Sequence, residues 1–202
     1  AGATRGAAPG HALMGLREVL TGRRELRKPA ADRLFAITTA AVAFEAGQGI
    51  VGAGSAAVVF QSLHTADFRA IVNEMVDVVK ATAADTAADV GTEEDSYGFT
   101  WLVARGADLD GLAAAINAVA SAIEAGGYGE RLLCAVFPFR DEASGRLYWI
   151  YNFKRGSFYP FVPAGDQRRD NERELVLRAQ AQSELPIEPE LSRWFALWGI
   201  PI

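Results

Sequence analysis

The feature that most constrains the fold is an aromatic-rich run in the last third of the chain, Arg146–Phe161. Successive side chains of a strand point to opposite faces of the sheet, so each face collects every second residue. One face of this run receives Leu147, Trp149, Tyr151 and Phe153, and the other receives Tyr148, Ile150, Asn152 and Lys154. Both faces are largely apolar, so the sequence predicts a strand that is covered on both sides.

The composition bounds the class of protein. The chain has 202 residues, of which 50% are hydrophobic, enough to bury a substantial core and to exclude disorder of the whole chain. The net charge of −5 argues against general nucleic-acid binding, because phosphate contacts need a basic surface. The charge is uneven, since residues 64–130 carry 3 basic and 12 acidic side chains, and residues 131–178 carry 9 basic and 6 acidic ones.

Two further features concern the compartment. Cys134 is the single cysteine, which excludes a disulfide within the chain and fits a reducing compartment. The most apolar region, Leu34–Phe60, is interrupted by Glu45 and Gln48 and is rich in small residues. It therefore predicts core and not a membrane span. We expect a cytoplasmic protein.

The N-terminal region divides into two short segments. Residues 1–13 are mostly Ala and Gly and lack the apolar stretch of a secretory signal. We interpret them as a remnant of expression or an over-extended start, with Met14 as the natural first residue. Residues 14–33 are interpreted as a basic helix and linker, which either makes a peripheral contact with an anionic membrane or an acidic partner, or is a frayed terminus. Residues 34–202 are predicted to form a single α+β domain.

The first part of that domain contains two predicted strands, Leu34–Glu45 and Ser55–Gln61. The glycine-rich stretch Gly47–Gly54 joins them, which predicts a hairpin. A helix then begins at its N-cap, Thr65, and ends near Thr82, because its apolar residues follow helical spacing.

The middle of the domain contains the clearest helix of the chain. The polar stretch Ala83–Ser96 predicts a loop, and Phe99–Arg105 predicts a strand. The helix Leu109–Ile123 carries an unbroken apolar stripe, with Asp108 as its cap and Gly126-Gly127 as its stop. We expect this helix to lie across the sheet, since both bring broad apolar faces that need cover.

Three strands and two helices are predicted to complete the domain. The strands are Leu132–Phe139, Leu147–Phe153 and Phe158–Val162, and the helices are about Gln167–Ser183 and a short one that begins at Pro189, since proline suits a first helical turn. The order ββ-α-β-α-βββ-α-α predicts an α+β class with a largely antiparallel sheet and packed helices.

Two motifs that suggest chemistry are better explained by structure. Gly47-x-Gly49-x-x-Gly52 matches a dinucleotide-binding pattern, but the strand-like Val58-Val59-Phe60 follows it where a helix is required. We interpret it as a flexible hairpin loop. His64 is the only histidine after Met14, so any hydrolytic triad would have to be built on it. Because it lies at the start of a predicted helix, we expect it to be a surface residue or to cap that helix.

Cys134 lies among apolar neighbours in a predicted strand, where a thiol packs as a small hydrophobe and stays unreactive. The acidic run Glu93-Glu94-Asp95 lacks the ligand spacing and the central glycine of a calcium loop. We interpret that run as a solvated loop. The sequence therefore predicts no catalytic, cofactor-binding or metal-binding residues, and an enzyme is the less favoured class.

A binding surface is the favoured interpretation of the C-terminal third. A basic cluster of Lys154, Arg155, Arg168 and Arg169 near Tyr159 has the planar guanidinium groups that grip a carboxylate or a phosphate, or it is simply solvated. Trp194, Phe195 and Trp198 are predicted on one side of the terminal helix, together with Leu191. That side either docks on the sheet or anchors a partner.

The same residues carry a family resemblance. The stretches that match are Asp95-x-Tyr97-Gly98-Phe99-Thr100-Trp101-Leu102-Val103, Leu132-Leu133-Cys134, Gly156-Ser157-Phe158-Tyr159-Pro160-Phe161, Arg169-Asp170-Asn171 and Glu184-Leu185-Pro186-Ile187-Glu188-Pro189-x-Leu191-Ser192-Arg193-Trp194-Phe195-x-x-Trp198-Gly199. Together they resemble the PspA-associated protein family PspAB. The resemblance spans Met14 to the C-terminus, and its C-terminal block is the most specific part.

The resemblance implies a role beside the phage-shock protein A system of the envelope-stress response, whose central protein is a membrane-remodelling coiled coil, and beside the membrane metalloprotease HtpX. It supplies no catalytic residues. At the level of element order, the implied fold is similar to the type III secretion chaperone-like α+β group, which is an analogy only.

These observations favour a non-enzymatic cytoplasmic adaptor that binds a protein partner, either a PspA-like coiled coil or an HtpX-type protease, without a cofactor. Contact with the inner face of the membrane is at most peripheral. The alternative is a small-molecule or nucleotide-binding domain, or an enzyme, that uses the cluster of Lys154, Arg155 and Arg168. A deep apolar pocket lined by those basic groups would favour the alternative, and a flat or grooved surface would favour the adaptor.

Overall fold

The computed structural model describes residues 31–63, 65–83, 89–106, 108–141 and 145–202. In chain order its helices and strands are α1 (Ala31–Leu34), α2 (Ala36–Gln48), β1 (Val51–Gly52), β2 (Ser55–Gln61), α3 (Ala66–Ala83), β3 (Asp89–Glu94), β4 (Phe99–Arg105), α4 (Leu109–Ala125), β5 (Leu132–Asp141), β6 (Gly145–Asn152), β7 (Ser157–Phe161) and α5 (Asn171–Ala181). Residues 1–30, with the predicted basic helix, lie outside the described residues, and so does His64.

The seven strands form one sheet in the order β3-β4-β2-β5-β6-β7, and β1 pairs with β5 beside β2. Every pairing is antiparallel. The predicted α+β class with an antiparallel sheet is therefore confirmed. The helix–strand order agrees with the predicted one from Ser55 onwards except at two places, β3 and the terminal helix.

The helices cover one face of the sheet. Residues of α1, α2, α3, α4 and α5 share one hydrophobic cluster with Leu147, Trp149 and Tyr151 of β6. Helix α4 packs against β2, β4 and β5, and Ile116 at its centre is fully buried. The predicted placement of this helix on the sheet is confirmed.

The opposite face is covered by a segment without regular secondary structure apart from a short 3₁₀ turn, Leu191–Arg193. We call residues 186–202 the C-terminal strap. Tyr148 and Ile150 of β6 lie in a second hydrophobic cluster with Trp194 and Ile202 of the strap. The predicted alternation along β6 is thus confirmed, because its two sets of side chains enter different clusters.

The predicted strand Leu34–Glu45 is wrong, since this stretch is helix α2 and the end of α1. The buried residues of this stretch are Leu34, Ile37, Ala40 and Phe44, a spacing of three and four that suits one face of a helix. Gly49 caps the end of helix α2: its φ is +68°, and its backbone N–H donates a hydrogen bond to Glu45 O, which together form a left-handed C-cap. The predicted hairpin through Gly47–Gly54 is therefore also wrong.

The predicted loop Ala83–Ser96 is wrong at its end, where β3 pairs with β4 from Asp89 to Glu94. Among these six residues only Val90 is buried, so the stretch lacks the apolar alternation that identifies a strand. Charged side chains are typical of an edge strand, because they discourage pairing with other chains.

Candidate binding pocket

The tight turn between β3 and β4 forms one wall of the site. Asp95 Oδ1 accepts hydrogen bonds from the amides of Tyr97 and Phe99, both at 2.9 Å, and Asp95 Oδ2 accepts one from Trp101 Nε1 at 2.9 Å. Gly98 has a φ of +81°, which suits glycine at this position of the turn. The carboxylate thereby fixes the loop against the sheet and leaves the Tyr97 side chain 59% exposed.

The strap forms the opposite wall and is held by side chains of the sheet and the α5 region. Tyr159 Oη donates a hydrogen bond to Phe195 O at 3.1 Å, and Arg169 Nη1 donates one to Trp194 O at 2.6 Å. In an α-helix these carbonyls would accept from amides four residues ahead. The predicted terminal helix from Pro189 is wrong for this reason, since side chains take the carbonyls that a helix would use.

A pocket of about 490 Å³ lies between the two walls, over the sheet. Aromatic and aliphatic side chains dominate its lining, which includes Phe99, Trp101, Leu133, Tyr159, Leu197 and Trp198. The exposed rings of Tyr97 and Phe195 belong to its rim. Most of the lining comes from the stretches that carry the family resemblance, which lie far apart in the chain and meet here.

Polar groups are few in this pocket. Asn152, at the end of β6, lines it, and its Oδ1 atom is buried without a hydrogen-bond partner. Lys154 also lines it and is exposed to solvent. Asp95 completes the polar set, but both of its oxygens already accept hydrogen bonds. An unsatisfied acceptor and a cation thus lie along one side of an otherwise apolar space.

Cys134 lies in the floor of this pocket, opposite Asn152 in the β5–β6 register. It is buried, as predicted, and burial raises the pKa of its thiol to about 12. Because the thiolate is the nucleophile, a thiol with such a pKa stays protonated at neutral pH. The side chain acts as part of the apolar floor.

The predicted basic cluster is divided by the fold. Lys154 and Arg155 precede β7, whereas Arg168 and Arg169 follow it, and a five-residue strand spans roughly 16 Å. Of the four, Lys154 lines the pocket, and the side chain of Arg168 is 73% exposed beside Asp166. The alternative of a nucleotide site needs Lys154, Arg155 and Arg168 together, and of these three only Lys154 lines this pocket.

Arg169 is a structural residue and not an exposed one, which corrects the expectation of a solvated guanidinium. Its Nε donates to Glu174 Oε1 and Oε2 at 3.0 and 2.8 Å, and its Cζ lies 5.5 Å from the centre of the Phe161 ring. Glu174 is buried and also accepts from the Val162 amide at 2.9 Å. Burial raises the pKa of Glu174, and the Arg169 hydrogen bonds oppose that effect.

The three aromatic residues of the strap divide between support and surface. Trp194 is buried, stacks on Tyr159 and donates from Nε1 to Glu188 O at 3.0 Å. Trp198 packs edge-on against Phe161 at 5.2 Å. Phe195 is 61% exposed. Trp194 and Trp198 thus dock on the sheet, as one alternative for this face predicted, and the anchoring of a partner by the exposed ring of Phe195 stays a prediction.

Several other predictions can be placed. Gly47 and Gly49 end helix α2 and precede a strand, the reverse of the strand-then-helix order that binds dinucleotides. Glu93 and Glu94 belong to β3, not to a loop. Within the described ranges, no three His, Cys, Asp or Glu residues are grouped to hold a metal ion. In the same part of the chain, no helix is long and apolar enough to cross a membrane.

Sequence reasoning missed Asp95, Asn152 and the pocket itself. The spacing of Asp95 to Gly98 is a signal for an Asx turn, since aspartate accepts from amides two residues ahead. Asn152 carried a weaker signal, as one of two small polar residues, with Ser157, in the aromatic run. Neither spacing predicts that the strap crosses the sheet next to them.

The fold and the pocket define an α+β protein with an antiparallel sheet and a pocket between the strap and the sheet face that the strap covers. Within that class, the family described as PspA associated protein B matches residues 14–202, so the chain belongs to the PspAB family. Neither a curated protein nor a solved structure is significantly similar to the chain.

Proposed function

We propose that this protein is a non-enzymatic adaptor that binds a protein partner in an envelope-stress response, in the cytoplasm or at the inner face of the membrane. The description of its family as PspA-associated supports a PspA-like coiled coil as that partner. An HtpX-type protease is the second candidate. The observation that carries the proposal is the pair of exposed rings, Tyr97 and Phe195, on the rim of an apolar pocket.

The proposed partner surface consists of Tyr97, Lys154, Arg155 and Phe195. Large aromatic side chains that are exposed beside an apolar depression favour protein binding, because such residues supply much of the energy of interfaces. Lys154 and Arg155 are exposed at the adjoining turn and favour an acidic partner, whose approach they accelerate. Tyr159, Arg169 and Trp194 support this surface from below by holding the strap.

The test measures the affinity and the association rate of the purified chain for a PspA-like coiled coil immobilised on a sensor surface, at low and high salt. Phe195→Ala should weaken the affinity by about tenfold or more, the loss expected of a central aromatic anchor. Arg155→Glu should lower the association rate at low salt and have a smaller effect at high salt.

Val42→Ala is the matched control, because Val42 is 69% exposed on α2, on the helix-covered side of the molecule. Its affinity should equal that of the unmodified chain. If Phe195→Ala and Val42→Ala bind equally well, the rim of the pocket is not the partner surface. The same series against an HtpX-type protease tests the second candidate.

A further inference from the structure

We propose that the pocket beneath the strap is a binding site for a small aromatic acid, a compound with a planar aromatic ring, an N–H or O–H donor and an anionic group. This inference goes beyond the adaptor function, since it concerns the interior of the pocket and needs no protein partner. Three observations carry it: the size of the pocket, the nature of its walls and the placement of its polar groups.

The size favours a whole small molecule. Sites that enclose small ligands measure roughly 300 to 1,000 Å³ and are mostly apolar with a few placed polar groups. This pocket measures about 490 Å³ and has that composition. The strap leaves the space because its irregular backbone cannot interdigitate with the sheet as regularly as a helix does.

The walls favour a planar aromatic body. The rings of Phe99, Trp101, Tyr159 and Trp198 line the pocket, and aromatic pairs in offset or edge-on geometry gain energy beyond the area that they bury. Tyr159 cannot supply a free donor, because its hydroxyl is committed to Phe195 O at 3.1 Å. Trp101 likewise donates to Asp95. These two residues thus present apolar ring surface to the pocket although their side chains carry polar groups.

The polar groups define the rest of the ligand. Asn152 Oδ1 is a buried acceptor without a partner, and a buried acceptor of this kind is costly unless a donor reaches it. Oδ1 itself is covered, so it becomes available only when the side-chain amide turns about χ2, a torsion that is broad for asparagine; an N–H or O–H group on the ligand then satisfies it. Lys154, two residues along the chain, supplies a cation for a carboxylate or similar anion.

The test uses three probes that differ by one group: N-acetyltryptophan, its 1-methyl-indole derivative, which lacks the ring donor, and N-acetyltryptophanamide, which lacks the charge. Calorimetric titration should rank N-acetyltryptophan first. We expect the methyl derivative to bind about fivefold weaker, the usual worth of one hydrogen bond. The amide should bind about threefold weaker, as for an exposed ion pair.

Variants assign these differences to residues. On Asn152→Ala the first two probes should bind equally, and on Lys154→Met the acid and the amide should bind equally. Arg155→Met is the matched control, because Arg155 neighbours Lys154 but does not line the pocket, and it should keep both differences. The melting temperature of each variant checks that the fold is intact.

The site is located by the indole N–H resonances of the four tryptophans. Trp101 and Trp198 line the pocket and should shift on titration, whereas Trp149 lies in the cluster under the helices and should not. The proposal is overturned if no probe binds at millimolar concentration, if all probes bind alike, or if Trp149 shifts as much as Trp101. Binding by acidic tryptophan peptides alone would also overturn it, and would assign the pocket to the partner surface.

Discussion

The two faces of the sheet are covered in different ways. The face toward α1–α5 meets regular helices whose apolar stripes fill the space above it, and its cluster includes the fully buried Phe44, Phe137 and Trp149. The other face meets the strap, a segment with one 3₁₀ turn, and retains a pocket. A helix presents a continuous side-chain surface, whereas an extended strap contacts the sheet only where its anchoring side chains reach it.

The comparison separates stability from binding. On the helix-covered face, removing a side chain leaves a cavity in a packed interior, which costs several kcal/mol. On the strap-covered face, the exposed and half-exposed residues contribute less to folding and are available to a ligand or a partner.

Ile116→Asp should unfold the protein. The side chain is fully buried at the centre of α4, and an unpaired carboxylate there costs several kcal/mol, about the whole stability margin of a domain. Thermal unfolding monitored by circular dichroism is the measurement. Ala118→Asp, at an exposed position of the same helix, should keep the midpoint within a few degrees. An unchanged midpoint for Ile116→Asp would contradict the role assigned to the helix-covered face.

Arg169→Met should destabilise the strap-covered side by about 3–5 kcal/mol at neutral pH, the usual cost of leaving one member of a buried ion pair alone. Glu174 is buried, and without Arg169 its pKa should rise further above the ordinary value. A carboxyl whose pKa is higher in the folded than in the unfolded protein binds its proton more tightly when the protein is folded. The free energy of unfolding therefore falls as the pH rises from the unfolded-state pKa to the folded-state pKa.

The sign of the pH effect provides the check on Arg169→Met. Urea unfolding of the variant and of the unmodified chain should differ most near neutral pH and less as the pH falls through the raised pKa of Glu174, where the carboxyl of the variant takes up a proton. Arg168→Met is the control, because its side chain is largely exposed and its nearest carboxylate oxygen is 3.9 Å away. A stability difference that grows on acidification would contradict the assigned role of Glu174.

Asp95→Ala should cost about 1–3 kcal/mol, because it leaves Trp101 Nε1 and two turn amides without their acceptor. It should also weaken N-acetyltryptophan binding, since Trp101 and Tyr97 lose their common anchor. Glu94→Ala, an exposed position one residue earlier, should change stability by less than about 0.5 kcal/mol. Equal effects of the two substitutions would show that the turn does not depend on the carboxylate.

The comparison of the two faces also explains what the sequence could predict. The clear stripe of α4 and the alternation of β6 are local patterns that depend on burial, so periodicity identified both. Helix α2 was misassigned because exposed apolar residues such as Val42 obscure the stripe of its buried residues. Strand β3 was missed because edge strands carry charges in place of alternating apolar residues. The prediction of a terminal helix failed for a different reason. Hydrogen bonds from Tyr159 and Arg169, which are distant in sequence, replace the hydrogen bonds of a helix.

The pocket was also predictable only where local sequence patterns define it. The C-terminal third is the predicted binding region and contributes much of the pocket lining, but the grouping of Lys154 and Arg155 with Arg168 and Arg169 rested on nearness in the chain. The five residues of β7 separate the two pairs. Asp95 and Phe195 lie 100 residues apart in the chain. A pocket between two such distant segments is a property of the sheet order and is not encoded in any local spacing.

The smallest expected effect concerns stability at the rim. Phe195→Ala should change the free energy of unfolding by less than about 0.5 kcal/mol, because an exposed side chain loses little packing when truncated. Phe44→Ala is the opposite case on the helix-covered face, where the ring lies 5.4 Å from Trp149 and should cost about 3–5 kcal/mol. Urea unfolding of both variants measures the contrast. If Phe195→Ala costs as much as Phe44→Ala, the ring is a part of the core, and its loss would weaken partner binding only by loosening the strap.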